Sequence, residues 1–253
     1  MKILGIDSSS LVAGVAIVED DILIAEYTTN FKKTHSQTLL PMIDEITRMT
    51  ETDLSTIDAI AVTGGPGSFT GLRIGSATAK GLGFALKKPI VNVKTLDAMA
   101  YNLYDSSRWI CPIMDARRNQ VYTGIFCFQN GEMKTILPQC AIALEELLDQ
   151  LTELEKEEKK GIAFLGDGVP VYRDKINAYM NDKLGYEPQY VGAHLNRQKA
   201  GSVAALAVEF MKTGKESNSC HLETAEEHKP DYLRLSQAER EKKEREKRNN
   251  EMS

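Results

Sequence analysis

Ile3-Leu4-Gly5-Ile6-Asp7-Ser8-Ser9-Ser10 is an apolar run that ends in an acid and a turn of small polar residues. Residues 12–18 resume as a second apolar run, Glu19-Asp20-Asp21 turns the chain, and residues 22–27 make a third. Short apolar runs bounded by turn residues read as strands, so the chain is expected to open on a β-meander with Asp7 at its first turn. The pattern restarts at Trp109. Ile110-Cys111-Pro112-Ile113-Met114-Asp115 is again an apolar run closed by an acid, residues 120–128 again a returning strand, and Asn130-Gly131 again a turn. The repeat lies in pattern, not in residue identity.

Helices and further strands complete a unit around each meander. Residues 34 to about 50 read as a helix: Thr34 or Ser36 can cap it, Leu39, Ile43 and Ile46 recur at helical spacing, and Pro41 is tolerable only near its start. A buried strand is expected at 59–62, a turn at Gly64-Gly65-Pro66-Gly67-Ser68, a helix from there to about 86, a strand at 89–93 and a helix at 96–104. The second copy carries a helix at about 144–160, a strand at 162–165, the turn Gly166-Asp167-Gly168, and helices at 172–180 and 201–213. Two copies of strand, acid, turn, strand, turn and strand, each with helices after it, predict a duplicated α/β fold of the actin-like, sugar-kinase-like superfamily in two lobes. With the boundary near Ser106, residues 1–106 and 107–235 are expected to form those lobes. Residues 236–253 form a charged tail with almost no apolar residues, expected to be a solvated helix or disordered. A nucleic-acid arm is the sharper alternative there, but its acids offset nearly all of its basic charge.

Composition narrows the classes. The 253 residues are 42% apolar and 26% charged, ordinary for a globular protein able to bury a sizeable core. No apolar run approaches the roughly 18 residues of a membrane helix, and the N-terminus reads as a strand, not a signal peptide. Cys111, Cys127, Cys140 and Cys220 are widely spaced and form no CxxC pair, as expected of reduced thiols in a cytoplasmic protein. A net charge of −5 argues against the chain being, by itself, the main grip on a nucleic acid.

The stretch Gly64 through Gly75 is the most informative. A glycine turn feeding a helix can cradle phosphate, but this one lacks the Gly-Lys-Ser/Thr ending of a P-loop. In the helix after it, Gly71, Gly75, Ala79 and Gly83 recur every fourth residue as a stripe of small side chains. Each helical glycine costs about 0.5–1 kcal/mol relative to alanine. Close approach of another element returns that cost, and the element is either the sheet of the same lobe or a helix of a partner. His35 is the only histidine in the first 190 residues. Helical metal sites pair histidines at i and i+4, whereas His35 is flanked at that spacing by Phe31 and Leu39, so it reads as a helix-start or interface residue. His221, Glu223, Glu227 and His228 form a second metal-like cluster, but in what reads as an exposed acid-rich loop.

Asp7 and Asp115 close the matching turns where actin-like ATPases and kinases place acids beside nucleotide phosphates and metal. The usual glycine companions are missing: Asp7-Ser8-Ser9-Ser10 has none, and Asp115-Ala116-Arg117-Arg118 carries bulky cations. Gly166-Asp167-Gly168 puts an acid where an adenosine-binding glycine pair would stand. Asp7, Ser8, Asp115 and Gly166 therefore outline a degenerate nucleotide cleft, with no metal and no cofactor expected. No G-x-S-x-G signature is present.

These motifs together resemble one family. His35-Ser36 followed by Leu39-Leu40-Pro41, then Gly65-Pro66-Gly67-Ser68-Phe69-Thr70-Gly71-Leu72-Arg73-Ile74-Gly75 and Ala79-Lys80-Gly81, are similar to the TsaB (YeaZ) signature. Asp115-Ala116-Arg117-Arg118, Val121-Tyr122, Gly166-Asp167-Gly168, and Pro230 with Tyr232-Leu233-Arg234 extend the match over about residues 1–235. The resemblance implies an actin-like fold and a non-catalytic partner of the paralogue TsaD. TsaD transfers threonylcarbamoyl to adenosine 37 of tRNAs reading ANN codons, with the ATPase TsaE joining the complex. It also implies a homodimer when TsaD is absent and contact with tRNA only through the complex. The helices near 34–50 and 68–86 would form the partner-binding bundle, placing His35, Ser36, Leu39, Leu40, Ile43, Phe69, Thr70, Gly71, Gly75 and Ala79 at the interface. Gln37-Thr38 departs from the Glu or Arg often found there in the family. The rival readings are an active enzyme, either a metal-dependent M22-type peptidase-like protein or a small-molecule kinase, and a stand-alone binding module without a tRNA role.

Overall fold

In the computed structural model, which describes residues 1–31, 33–214 and 218–233, the first meander forms as the sequence predicts. Strands β1 (Lys2–Asp7), β2 (Val12–Glu19) and β3 (Ile22–Asn30) pair antiparallel, with Asp7 opposite Gly14. Helix α1 (His35–Met49), β4 (Ala59–Gly65), α2 (Phe69–Leu86), β5 (Ile90–Lys94) and α3 (Thr95–Tyr101) come next along the chain. The second copy is β6 (Trp109–Asp115), β7 (Gln120–Gln129), β8 (Glu132–Ala143), α4 (Leu144–Glu157), β9 (Ile162–Leu165), α5 (Val169–Leu184), β10 (Gln189–Tyr190) and α6 (Ala200–Thr213). A last strand, β11 (Cys220–Glu223), is not expected from the sequence pattern. The charged tail at 236–253 lies outside the described residues.

Strand order is β3-β2-β1-β4-β5-β11 in one sheet and β8-β7-β6-β9-β10 in the other. The two orders agree over five strands. In each, a meander is extended by two parallel strands, β4 and β5 or β9 and β10. The duplicated actin-like α/β fold expected from the sequence is the fold of the molecule.

A sheet built from nearly continuous apolar strands must be covered on both faces. Helices α1 and α2 cover one face of the first sheet, burying Leu39, Ile43, Ile46 and Ala79 against Leu4, Val15 and Ile60. Helices α4 and α5 do the same for the second, through Leu147, Leu151 and Ile176. The other two faces exchange helices between the halves. Helix α6 packs Val203, Ala204 and Ala207 on Ile3, Ala59 and Val91 of the first sheet. Helix α3 packs Leu96 and Met99 on Ile110, Phe126 and Leu165 of the second. Close approach of α6 depends on Gly5, where a Cβ would lie 2.9 Å from that of Ala204. Burying one Val or Leu side chain contributes about 1.5–3 kcal/mol, so the exchanged helices bind the two sheets to each other.

Residues 107–235, expected as the second lobe, do not all pack on the second sheet. Helix α6 and strand β11 complete the first sheet, β11 pairing antiparallel with β5. Pro41 is also placed differently: it sits inside α1, well past the first turn, where its ring is exposed. No helix among the described residues is long and apolar enough to cross a membrane.

Candidate functional site

The two first turns border one cavity of about 390 Å³ between the lobes. Ser9, Ser10, Gly67 and Phe69 line it from one side, and Asp115, Arg117, Tyr122 and Asp167 from the other. The first turn is sealed. Asp7 is buried, and its Oδ1 accepts from both the backbone N–H and the hydroxyl of Ser9, each at 3.0 Å. The Ser8 hydroxyl donates to the Gly71 carbonyl at 2.8 Å, and the Ser9 carbonyl accepts from the Ser68 N–H at 2.7 Å. Burial raises the Asp7 carboxyl to about 6, against the opposing pull of the Ser9 bonds and of His35. His35 does stand at the start of α1, and its Nε2 donates to the Ser10 carbonyl at 2.7 Å.

The small stripe of α2 explains the seal. Cβ atoms on Gly71 and Gly75 would overlap the Ser8 carbonyl oxygen and the Ser8 hydroxyl, respectively. Glycine at both positions lets the helix lie directly on the β1–β2 turn, and Ser68 starts the helix by accepting from the Gly71 N–H at 3.3 Å. The stripe therefore faces inward.

The second turn is open. Asp115 is exposed, and its Oδ1 accepts from the Arg117 N–H and the Tyr172 hydroxyl, both at 2.8 Å. Arg117, Arg118 and Asn119 all take left-handed backbone angles, with φ of 62°, 55° and 60°. Such residues cost about 1–2 kcal/mol each when they carry a Cβ. Gly166, at φ 108°, passes its carbonyl to Arg197 Nη1 at 2.8 Å. The buried Asp167 Oδ1 has no hydrogen-bond partner among the described residues, and burial pushes this carboxyl up despite nearby Arg197.

A strap formed by residues 224–233 ends at the cleft, which its Asp231, Tyr232 and Leu233 line. Lys80 Nζ donates to the carbonyls of Glu226 and His228 at 3.0 and 3.1 Å, and the Asp231 N–H to Gly64 at 2.7 Å. Tyr232 stacks on Phe69 with ring centroids 4.7 Å apart, and Arg73 lies 4.0 Å over the Phe69 ring centroid. His228, expected in an exposed loop, is instead buried with Nδ1 2.7 Å from Glu223 Oε2, and burial lowers its pKa. His221, its neighbour in the metal-like cluster, is exposed on β11. No group of three or more potential metal-ligating side chains is found among the described residues.

Comparison with known proteins places this arrangement. A family model described as "TsaD: tRNA N6-adenosine threonylcarbamoyltransferase" matches residues 23–247. The chain is 34% identical over 239 residues to the tRNA threonylcarbamoyladenosine biosynthesis protein TsaB of Bacillus subtilis, covering 94% of this chain and 96% of that one. The chain belongs to the TsaB family. The TsaB of Escherichia coli is 36% identical over 124 residues, 48% of this chain and 53% of that one. The solved YeaZ structure from Pseudomonas aeruginosa superposes with a TM-score of 0.69 at 25% identity, covering 91% of this chain and 99% of that one.

The residues that TsaB resemblance assigns to a partner divide sharply in this structure. Ser36, Leu40 and Thr70 are exposed, and His35 and Phe69 are half-buried. Leu39, Ile43, Gly71, Gly75 and Ala79 are buried inside their own lobe. None of these five is exposed on the surface of this chain. The outer face of α2 carries a second set of small residues instead: Thr70, Ala77, Gly81 and Ala85, with Phe84 at 59% exposure. On α1, Leu40 at 55% and Met49 at 67% continue the exposed apolar surface. Of the four cleft residues only Asp115 lines the cavity, while Asp7, Ser8 and Gly166 are buried behind its walls. Asp7 and Ser8 are sealed, whereas Asp115 faces solvent and Gly166 is buried behind it.

Proposed function

We propose that this chain is a non-catalytic subunit that binds a TsaD-type transferase through the outer faces of α1 and α2. It would thereby support formation of threonylcarbamoyladenosine at position 37 of tRNAs reading ANN codons, with a TsaE-type ATPase in the same assembly. The same faces would hold two copies of this chain together when the transferase is absent. The observation that carries this reading is the unpartnered helical seam of Leu40, Ala77, Gly81 and Phe84. A row of small residues flanked by large apolar ones lets helix axes approach and lets dispersion contacts accumulate. The non-catalytic part is supported by the sealed first turn, where Asp7 is held under α2 by Ser9 and the Ser8 hydroxyl is spent on Gly71. The relatives' names support the pathway.

Gly81→Leu tests the seam. Nothing lies within 4 Å of a Cβ at this position, so the chain accommodates the change. Overpacking a close helix seam costs about 1–3 kcal/mol, a loss of roughly five- to 150-fold in affinity. Titration against the TsaD protein of the same genome should show that loss with an unaltered circular dichroism spectrum. Unchanged affinity would place the partner elsewhere.

A further inference from the structure

We propose that the β6–β7 turn is an RNA contact, in which Arg117 and Arg118 hold phosphates of a looped, single-stranded stretch while one unstacked base enters the adjoining cleft. This rests on the reading above only in taking tRNA as the substrate of the assembly. The turn is held in place from several sides. Asp115 Oδ1 accepts from the Arg117 N–H, the Gln120 N–H donates to the Arg117 carbonyl at 3.1 Å, and the Leu144 N–H donates to Asn119 at 3.3 Å. Lys175 Nζ donates to Asn119 Oδ1 at 2.7 Å and adds a third cation beside the turn. Left-handed backbone at three successive side-chain-bearing residues persists only where the surroundings over-determine it. What the turn displays are two exposed arginines, and among the described residues neither guanidinium is engaged by an acid or a ring.

The cleft behind them selects the partner. Asp115, Asp167 and Asp231 line it against the single cation Arg117, so a phosphate inside would meet mostly carboxylates. A base inside would meet them as acceptors for its amino or imino protons. Tyr122 and Tyr232 also line the cavity and offer ring surface to a base. The charge pattern therefore puts the base in and the phosphates out, at the arginines. An acidic peptide would satisfy the arginines but not a cleft lined by acids.

The test uses the full chain, alone and mixed with its TsaD partner, titrated with a labelled RNA stem–loop over a range of salt. Replacing both arginines, as Arg117→Gln with Arg118→Gln, removes two phosphate contacts. Each contributes about 0.7 to the slope of log K against log salt for a single strand, so the slope should become shallower by about 1.4. Affinity for TsaD measured without RNA should stay the same, as should the melting temperature. Asp167→Asn should leave the salt slope alone and change which loop base is preferred. Three outcomes overturn the proposal: an unchanged slope, loss of TsaD affinity in the arginine variant without RNA, or no RNA binding by the unaltered chain in either form. Failure to bind TsaD at all would sink the scaffold reading, while the RNA titration of the chain alone would still decide this one.

Discussion

The β1–β2 turn and the β6–β7 turn occupy the same place in two copies of one unit, yet one is buried under a helix and the other stands in solvent. The difference comes from the helix that starts beside each. Helix α2 can lie on its turn because Gly67, Gly71 and Gly75 leave no Cβ between them and Ser8 or Ser9. Helix α5 has no such glycines inside it, and Tyr172 spans the gap with its hydroxyl on Asp115. Burial at 5% exposure raises the Tyr172 hydroxyl to about 12, with the Asp115 bond adding to the shift, so it serves there as a donor. Small residues closed one half of the cleft, and a tyrosine spacer left the other half open for two cations. Duplication thus preserves the scaffold while the chemistry at equivalent turns diverges.

The strongest way to break this comparison is to take away the glycines. In Gly75→Leu the new side chain must enter the space of the Ser8 hydroxyl, with Val62 close behind at 3.6 Å from the Cβ. Overpacking of a core site usually costs 1–3 kcal/mol and backbone clashes more, so a loss of about 3 kcal/mol is expected in urea unfolding. Gly81→Leu, on the opposite face, should instead gain about 0.5–1 kcal/mol from better helix propensity. Equal losses at the two positions would mean that the inward and outward stripes have been assigned wrongly.

The buried acid sharpens the comparison through pH. Asp7 titrates at about 6 in the folded chain against an ordinary 3.8, chiefly because it is buried. Between those values the folded state keeps a proton that the unfolded state releases, so stability falls as pH rises through the window and levels off above it. Asp97, also raised to about 6 by burial, adds to the same slope. Asp7→Asn keeps an acceptor for Ser9 and removes the cost of burying charge. It should change little at pH 4.5 and stabilise the chain by up to about 3 kcal/mol at pH 7.5. Equal destabilisation at both pH values would show that the carboxylate, not its burial, is what the turn needs.

How far the sequence reveals this molecule depends on whether the signal is local. Both meanders and the six α-helices of the described residues announced themselves, because strand and helix periodicities are written in adjacent residues. The exchange of α3 and α6 did not, since an apolar helix face carries no mark of which sheet it covers. Strand β11 hid within an acid-rich segment, and its Cys220 and Leu222 are too few to read as a strand. On α2 the stripe was legible but its direction was not. Gly71, Gly75, Ala79 and Gly83 face in while Ala77, Gly81 and Ala85 face out, so the helix carries small residues on both sides. Asp7 and Asp115 read as equivalents because burial, the property that separates them, is set by α2 and α5 far along the chain.

The smallest expected effect is also the most direct contrast between the two turns, because one substitution should have opposite signs in them. Arg118 holds φ at 55° without its side chain making a hydrogen bond, ion pair or ring contact within the described chain. Glycine there relieves the left-handed Cβ strain of about 1–2 kcal/mol, and part of that gain is lost to the greater freedom of glycine in the unfolded chain. Arg118→Gly should therefore stabilise the fold by about 0.5 kcal/mol. Ser9 occupies the matching turn, and both its hydroxyl and its N–H donate to the buried Asp7. Ser9→Gly deletes the hydroxyl donor at pH 7.5, where Asp7 is charged, and hydrogen bonds to charged groups contribute about 1.5–3 kcal/mol. It also adds unfolded-state entropy with no strain to relieve, since Ser9 is not among the left-handed residues. Paired urea titrations at pH 7.5 would read both signs. A gain for Ser9→Gly, or a clear loss for Arg118→Gly, would mean that the open turn is held by its arginine and the closed one is not held by its serine.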